Sequence, residues 1–137
     1  MKMKNPYPFE SILLSAKTIA VVGLSKDPSK ESHVVAKYLQ EHGYKIIPVN
    51  PSAEEILGEK VFHLLSEINF PVDVVDVFRP SVECEGIVRE AVKLKPKMVW
   101  LQLGIKSGEA KKIAQAKSIV FAQGKCTKIV HKRLSLV

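Results

Sequence analysis

Short β-branched runs alternate with stretches of helical periodicity along the chain, and this alternation constrains the fold more than any other feature. The runs predict five strands, at about residues 18–22, 45–49, 72–78, 98–101 and 118–121. Strands that are joined by helices predict an α/β, doubly wound, Rossmann-like parallel sheet with helices on both faces. Right-handed crossovers favour the strand order 3-2-1-4-5.

Helical periodicity fills three of the gaps between the predicted strands, at about 31–42, 81–94 and 107–117. Ser81 and Ser107 are suited to cap the second and third of these helices, because a serine hydroxyl accepts a hydrogen bond from an amide of the first turn. The gap between strands two and three is less regular, and it predicts a short extended piece at Val61-Phe62 followed by a single helical turn from Leu64 to Ile68.

The length predicts one domain over residues 1–137. We expect a short helix at about 8–16 to cover one edge of the sheet and a basic tail at 122–137 to end the domain. The chain has 21 Lys and Arg against 14 Asp and Glu, and residues 110–137 hold seven Lys or Arg and no acid. This basic end fits an anionic partner, and it fits a purely solubilising role equally well.

Hydropathy and cysteine content argue against a membrane helix, a disulfide framework and a zinc site. No apolar run approaches the ~20 residues of a membrane helix, and no export signal opens the chain, so we expect a cytoplasmic location without a membrane. Two cysteines, Cys84 and Cys126, are too few for a disulfide framework or a zinc site, so we expect no metal. Cys84 shares a helical face with apolar residues and is expected in the core.

The predicted strand ends carry the candidate functional residues, because ligands of open parallel sheets bind beyond the carboxyl ends where the winding reverses. The residues at these ends are Gly23-Leu24-Ser25-Lys26, Asn50-Pro51, Phe78-Arg79-Pro80 and Gln102-Leu103-Gly104. Turn chemistry alone explains the glycines and prolines, but it explains Arg79 and Gln102 less well.

The first strand end departs from the common nucleotide fingerprints. A dinucleotide fold wants G-x-G-x-x-G after strand one and an acidic residue after strand two. Here only Gly23 matches the glycine pattern, strand two ends in Asn50-Pro51, and the P-loop pattern is absent. The backbone amides, the Ser25 hydroxyl and Lys26 would still suit a phosphate at a helix N-terminus.

Several longer strings together resemble a known family. They are IAVVGLS at 19–25, HGY at 42–44, IPVNP at 47–51, ILGEKV at 56–61, VVDVFR at 74–79, WLQLG at 100–104 and Cys126 followed by HKRL at 131–134. In this order and spacing they resemble the small stand-alone CoA-binding proteins over about residues 18–134. That fold is similar to the N-terminal CoA-binding domain of the succinyl-CoA synthetase α subunit.

The resemblance implies coenzyme A (CoA) or an acyl-CoA as the small-molecule ligand, and it implies how the strand ends would divide it. The implied ligand contacts are Gly23, Leu24, Ser25 and Lys26 for the phosphates, Val49, Asn50 and Pro51 for the adenosine, Val77, Phe78 and Arg79 for the adenine or ribose, and Leu101 and Gln102 for the pantetheine arm.

The chain departs from the family pattern at two basic positions. Ser52 stands where relatives often carry Lys or Arg, and Lys125 stands where they tend to carry Arg before the tail cysteine. Lys125 keeps the charge but loses the planar fork that binds phosphate through two hydrogen bonds. Nearby cations lower a thiol pKa, so Cys126 offers two interpretations, a mixed disulfide with the CoA thiol and a partly buried cysteine that packs the tail.

The sequence contains no arrangement that predicts catalysis. The four histidines are scattered, and Asp73 and Asp76 lie three apart on a strand and so face opposite sides. We therefore expect non-catalytic binding of CoA. Two alternatives remain open, an NAD(P)-binding oxidoreductase-like protein and a nucleic-acid-binding protein that uses the basic C-terminal segment. The oligomeric state and any protein partner stay open.

Overall fold

The computed structural model describes residues 8–136. Its strands are β1 (Thr18–Val22), β2 (Lys45–Val49), β3 (Glu55–Ile56), β4 (Glu59–Lys60), β5 (Val74–Val77), β6 (Met98–Leu101) and β7 (Val120–Ala122). Its α-helices are α1 (Pro8–Ser15), α2 (Glu31–Glu41), α3 (Ser81–Ala91), α4 (Gly108–Ala116) and α5 (Thr127–Ser135). Two 3-10 turns cover Leu65–Glu67 and Val92–Leu94.

Five parallel strands form the main sheet in the order β2-β1-β5-β6-β7, which confirms the doubly wound α/β class. When the parallel bridge between Val49 and Phe62 is counted as a position beyond β2, the order has six positions, 3-2-1-4-5-6, and the first five of them match the predicted 3-2-1-4-5. The strand expected at 72–78 therefore lies beside β1, and a single bridge holds the third position. The winding reverses between β1 and β5.

Each face of the sheet is covered by helices, so the strands are apolar on both sides. On one face Ile19 and Val21 of β1 join a buried cluster with α1, α2 and α5. On the other face Ala20 and Val22 join a cluster with α3 and α4. Cys84 of α3 is fully buried there, which confirms its predicted core position.

The two predicted helix caps have different outcomes. Ser107 caps α4 as predicted, because its hydroxyl accepts a hydrogen bond from the Ala110 amide at 3.1 Å. The prediction for Ser81 is wrong, since Pro80 occupies the cap position and Ser81 is the first residue of α3. The Ser81 hydroxyl instead accepts a hydrogen bond from the Lys106 amide at 3.1 Å, which ties α3 to the loop after β6.

The basic tail folds back onto the domain. Helix α5 contacts α1 and α2, and Arg133 of α5 forms an ion pair with Glu10 of α1. The His131 ring and the Tyr38 hydroxyl form a hydrogen bond of 2.8 Å between α5 and α2. Within residues 8–136 no helix is long and apolar enough to cross a membrane, and no cluster of three or more His, Cys, Asp or Glu is placed to hold a metal ion.

Candidate functional site

A groove of about 740 Å³ opens at the carboxyl ends of β1, β2 and β5. One wall comes from these strand ends, a second from the segment around the 3-10 turn Leu65–Glu67, and a third from the outward side of α3. The groove lies at the point where the winding of the sheet reverses, which is where this class of fold binds ligands.

Gly23 allows the ends of the strands to close on each other. Its φ angle is +85°, in the left-handed region that disfavours a side chain. A Cβ atom at this position would lie 2.8 Å from Cδ of Arg79 and 2.9 Å from the Phe78 carbonyl oxygen. The Gly23 amide also donates a hydrogen bond of 3.0 Å to the Val49 carbonyl, so one glycine joins the ends of all three strands.

The loop after Gly23 is fixed to the first turn of α2 by hydrogen bonds on each side of Ser25. The Ser25 amide donates to the Ser32 hydroxyl at 3.0 Å, and the His33 ring lies 2.8 Å from the Ser25 carbonyl. Because a carbonyl only accepts, the His33 Nδ1 atom carries the proton in this contact. His33 is buried, and its ring orients the loop through this contact.

A turn at Asp27 completes this loop. The Ser25 hydroxyl accepts a hydrogen bond from the Asp27 amide at 3.0 Å, and the Asp27 carboxylate accepts from the amide and hydroxyl of Ser29 at 2.9 and 2.8 Å. These hydrogen bonds lower the pKa of the Asp27 carboxyl below its ordinary value. The loop therefore holds one conformation at the N-terminus of α2, where the helix dipole favours an anion.

Asn50 ties the end of β2 to the loop after β1. Its side-chain amide donates to the Leu24 carbonyl at 2.9 Å, while its side-chain oxygen accepts from the amides of Ser52 and Ala53, both at 2.9 Å. Substituting an acidic residue here would remove the donor to Leu24. The asparagine that replaces the acid of dinucleotide folds is thus a structural connector at the groove wall.

Arg79 supplies the permanent positive charge of the groove among the described residues that line it. Its guanidinium donates two hydrogen bonds to Glu83, from Nε at 3.0 Å and from a terminal nitrogen at 2.8 Å. This pairing raises the pKa of Arg79 and lowers that of the Glu83 carboxyl. Glu90 also lines the groove, so the lining contains two acidic residues and one arginine.

The ends of β5 and β6 carry a second polar group, which is sealed inside the protein. Gln102 is 3% exposed, and its side-chain amide donates to the Asp76 carboxyl at 2.5 Å and to the Thr127 hydroxyl at 2.9 Å. Burial raises the pKa of Asp76 to about 7, against the opposing effect of these hydrogen bonds. Gln102 therefore joins the sheet to the first residue of α5.

The structure separates the sequence-predicted residues into two sets. Those that line the groove are Gly23, Ser25, Val49, Asn50, Pro51 and Arg79. Leu24, Val77 and Leu101 are fully buried, Phe78 packs against the core beside α2, and Cys126 is 6% exposed. Lys26 is exposed and is not among the residues that line the groove.

The basic position before the tail cysteine faces away from the groove. The Lys125 carbonyl accepts a hydrogen bond from the Trp100 indole at 2.8 Å, and its ammonium lies 5.4 Å from the centre of the Phe9 ring. The burial of Cys126 favours the interpretation that this cysteine packs the tail.

Sequence reasoning missed the third wall of the groove. This wall consists of Glu83, Gly86, Ile87 and Glu90. Their spacing of three and four residues places them on one face of α3, so the periodicity was available as a signal. The sequence did not show that this face turns toward the strand ends.

The comparisons with known proteins agree with this architecture. A family model described as a CoA binding domain matches residues 17–132. The chain belongs to the CoA binding domain family. This confirms the resemblance that the sequence strings carry.

Relatives of the same length share the whole domain. The chain is 40% identical to the Bacillus subtilis protein YneT over 131 residues, which covers 94% of this chain and 97% of YneT. A solved structure from Thermus thermophilus superposes with a TM-score of 0.89 at 41% identity and covers 96% of this chain and 99% of that one.

Longer relatives contain the domain as a small part. The chain is 41% identical to the α subunit of an ADP-forming acetate–CoA ligase from Pyrococcus furiosus over 64 residues, which is 46% of this chain and 14% of that subunit. An acetyl-coenzyme A synthetase from Candidatus Korarchaeum cryptofilum superposes with a TM-score of 0.67 at 27% identity, over 77% of this chain and 25% of that one. The chain is thus homologous to the N-terminal CoA-binding part of such synthetases.

Proposed function

We propose that this protein binds CoA or an acyl-CoA in the groove at the carboxyl ends of β1, β2 and β5, and that it catalyses no reaction by itself. The observation that carries the proposal is the close approach at Gly23, in a chain that belongs to the CoA binding domain family. Here the strand ends, Ser25 of the loop that leads into α2, and Arg79 all line one groove of ligand size.

The polar end of the groove suits the phosphates of CoA. The loop over residues 23–30 leads into the N-terminus of α2, where the helix dipole favours an anion, and Lys26 at its surface adds a positive charge. Arg79 lines the groove beside Gly23, where its planar guanidinium can bind a phosphate through two hydrogen bonds. A polyanion would thus meet favourable charge from the helix N-terminus and from Arg79.

The remaining lining suits the apolar part of the ligand. Val22 and Val49 come from the strand ends, Leu64 and Leu65 from the 3-10 turn segment, and Ile87 from α3. Leu64 is 60% exposed, which leaves apolar surface for a ligand to cover. The pantetheine arm and the adenine face are the parts of CoA that would use this surface.

The groove chemistry supports a binding role without turnover. A nucleophile needs a base that is oriented toward it. The Ser25 hydroxyl is engaged by the Asp27 amide, and the Ser52 hydroxyl donates to the Asn50 side chain at 3.3 Å. The His63 ring contacts the Ala53 carbonyl at 3.2 Å and the Glu54 carboxylate at 3.4 Å.

Isothermal titration calorimetry with CoA, acetyl-CoA, NADH and a single-stranded oligonucleotide tests the proposal. We expect saturable 1:1 binding of CoA, and binding of NADH that is at least about tenfold weaker. Saturation by NADH without heat from CoA would establish the dinucleotide alternative. Oligonucleotide binding that falls steeply with salt, again without CoA binding, would establish the nucleic-acid alternative.

A further inference from the structure

We infer that Glu83 is an internal counter-anion that a ligand phosphate must displace from Arg79, so that this pair selects ligands with a phosphate at the mouth of the groove. The inference rests on the proposed function, because it concerns how the same groove chooses among anionic ligands. The inference assigns a role to the Glu83 carboxylate, whose negative charge would otherwise disfavour the binding of a polyanionic ligand.

The geometry of the pair matches the geometry of phosphate binding. Arg79 contacts the two Glu83 oxygens with two different nitrogens, at 3.0 and 2.8 Å. A guanidinium binds two oxygens of a phosphate with the same planar fork. Relative to the guanidinium, Glu83 therefore occupies the positions that two phosphate oxygens would take.

The stem of Arg79 is fixed while its head is accessible. The side-chain atoms Cδ and Cγ lie 2.8 and 3.2 Å from the position that a Cβ of Gly23 would occupy, so the stem runs along the Gly23 backbone. The Arg79 and Glu83 side chains are 46% and 42% exposed. A rotation of the guanidinium from α3 toward the loop after β1 thus needs no movement of the backbone.

The exchange favours a phosphate over other anions. Ion pairs at this degree of exposure and i,i+4 spacing contribute little to stability, so Glu83 is displaced at small cost. A phosphate dianion binds a guanidinium more strongly than one carboxylate does, whereas a hydroxyl or an amide does not compete with Glu83. Ligands without a phosphate at this point would leave the pair closed.

Glu90 provides a matched control on the same helix face. It lines the same groove and carries the same charge, but its carboxylate pairs with Lys93 at 2.9 Å. Glu90→Gln therefore measures the general effect of removing one negative charge from the groove. Glu83→Gln measures that effect plus the release of Arg79.

The test is a calorimetric titration of CoA and dephospho-CoA into the wild type, Glu83→Gln, Glu90→Gln, Arg79→Ala and the double variant R79A/E83Q. We expect Glu83→Gln to strengthen CoA binding by about two- to fivefold and Glu90→Gln to strengthen it less. When Arg79 is already replaced by Ala, the gain in CoA affinity from Glu83→Gln should fall to the gain that Glu90→Gln gives in the wild type. If Glu83→Gln gains affinity for CoA but not for dephospho-CoA, the group that binds Arg79 is the 3′-phosphate. If it gains affinity for both ligands, that group is the pyrophosphate.

An NMR titration gives a readout that a structural role would not move. The chain has three arginines, Arg79, Arg89 and Arg133, and CoA should shift the Nε–Hε signal of Arg79 in the wild type. Equal gains from Glu83→Gln and Glu90→Gln, or a Glu83→Gln gain that persists without Arg79, would overturn the inference while CoA binding stands. If the wild type and Glu83→Gln both fail to bind CoA, the proposed function itself is wrong and the inference fails with it.

Discussion

The carboxyl edge of the sheet has an open half and a sealed half. In the open half, at β2, β1 and β5, Asn50 and Arg79 stand at the wall of a groove. In the sealed half, at β5, β6 and β7, Gln102 and Asp76 are buried beneath the first residue of α5. Both halves end in polar residues after apolar strands, yet only one of them exposes those residues to a ligand.

The difference arises from the segments that cover each strand end. The loop after β1 turns on a left-handed glycine and leads into α2, and its residues Gly23 and Ser25 stay at the groove. The end of β6 is covered instead by α5, and Thr127 completes the hydrogen bonds of Gln102. A polar residue at a strand end is therefore a candidate ligand contact only where no later segment covers it.

The largest expected effect is a loss of stability in the sealed half. Asp76→Ala removes the acceptor of the Gln102 amide and leaves a cavity, so we expect it to lower the free energy of unfolding by about 2–4 kcal/mol at pH 5.5. Asp27→Ala, in an exposed turn, is the control and should cost about 1 kcal/mol or less. Urea denaturation measures both variants. A cost for Asp76→Ala no larger than that of the control would mean that the sealed half is not held by this network.

The same carboxyl makes stability depend on pH. The folded protein keeps the Asp76 proton up to about pH 7, whereas the unfolded chain releases it near the ordinary value of 3.8. Through this group the free energy of unfolding therefore falls as the pH rises across this window, by about 1.4 kcal/mol per pH unit at most. His131 acts in the opposite direction because its pKa is lowered. The difference in the free energy of unfolding between the wild type and Asp76→Asn, measured at pH 5 and at pH 7, isolates the contribution of Asp76. If this difference is the same at both pH values, the assignment of the pH dependence to Asp76 is contradicted.

In the open half, the variant with the largest expected effect is Gly23→Ala. The added Cβ would collide with Arg79 and the Phe78 carbonyl at a positive φ, so we expect a cost of about 2 kcal/mol and at least about a tenfold loss of CoA affinity. Gly43→Ala is the matched control, because Gly43 also has a positive φ but open space around it. It should cost about 1 kcal/mol and leave CoA binding unchanged. Equal binding losses in the two variants would show that Gly23 acts only through stability.

Arg79→Ala sharpens the contrast with Arg89, a surface arginine on α3. It should weaken CoA binding by about tenfold because a charge-assisted phosphate contact is lost. Arg89, which lies 3.7 Å from Glu85 in an i,i+4 pair outside the groove, is the control. Calorimetry of Arg89→Ala should reproduce the wild-type affinity. If Arg79→Ala also does so, Arg79 is not a ligand contact.

The smallest expected effect is that of Cys126→Ser. Because Cys126 is buried against the tail, we expect less than about a twofold change in CoA affinity. Mass spectrometry of protein incubated with CoA in the absence of reductant provides the companion measurement. A mass increase that corresponds to a CoA adduct, and that disappears in Cys126→Ser, would support the mixed-disulfide interpretation instead.

The sequence was most informative where local periodicity and burial agree. The runs at 18–22 and 98–101 are apolar on both faces and correspond to strands that are buried on both faces. Ser107 was predictable as a cap because it precedes the periodic segment directly. The doubly wound class is a consequence of such local signals together with the handedness of crossovers.

The features that the sequence could not reveal depend on distant contacts. Gln102 comes directly after an apolar run just as Arg79 does, and only the position of Thr127 shows that one is sealed and the other open. The spacing of Glu83 and Glu90 is helical, but the direction of that face is set by how α3 crosses the sheet. Ser81 directly precedes a periodic segment just as Ser107 does, so it was expected to be a cap. Only the position of Lys106 shows that the Ser81 hydroxyl bonds to the loop after β6 instead.

An NMR titration of ¹⁵N-labelled protein with CoA tests the central claim most directly, because it locates the ligand on the edge of the sheet. We predict that amide signals of Gly23, Ser25 and Asn50 shift with saturation, while those of Gln102 and Thr127 change little. Saturable shifts confined to α4 and α5, or no shifts at millimolar CoA, would contradict the claim that the open half is the binding site.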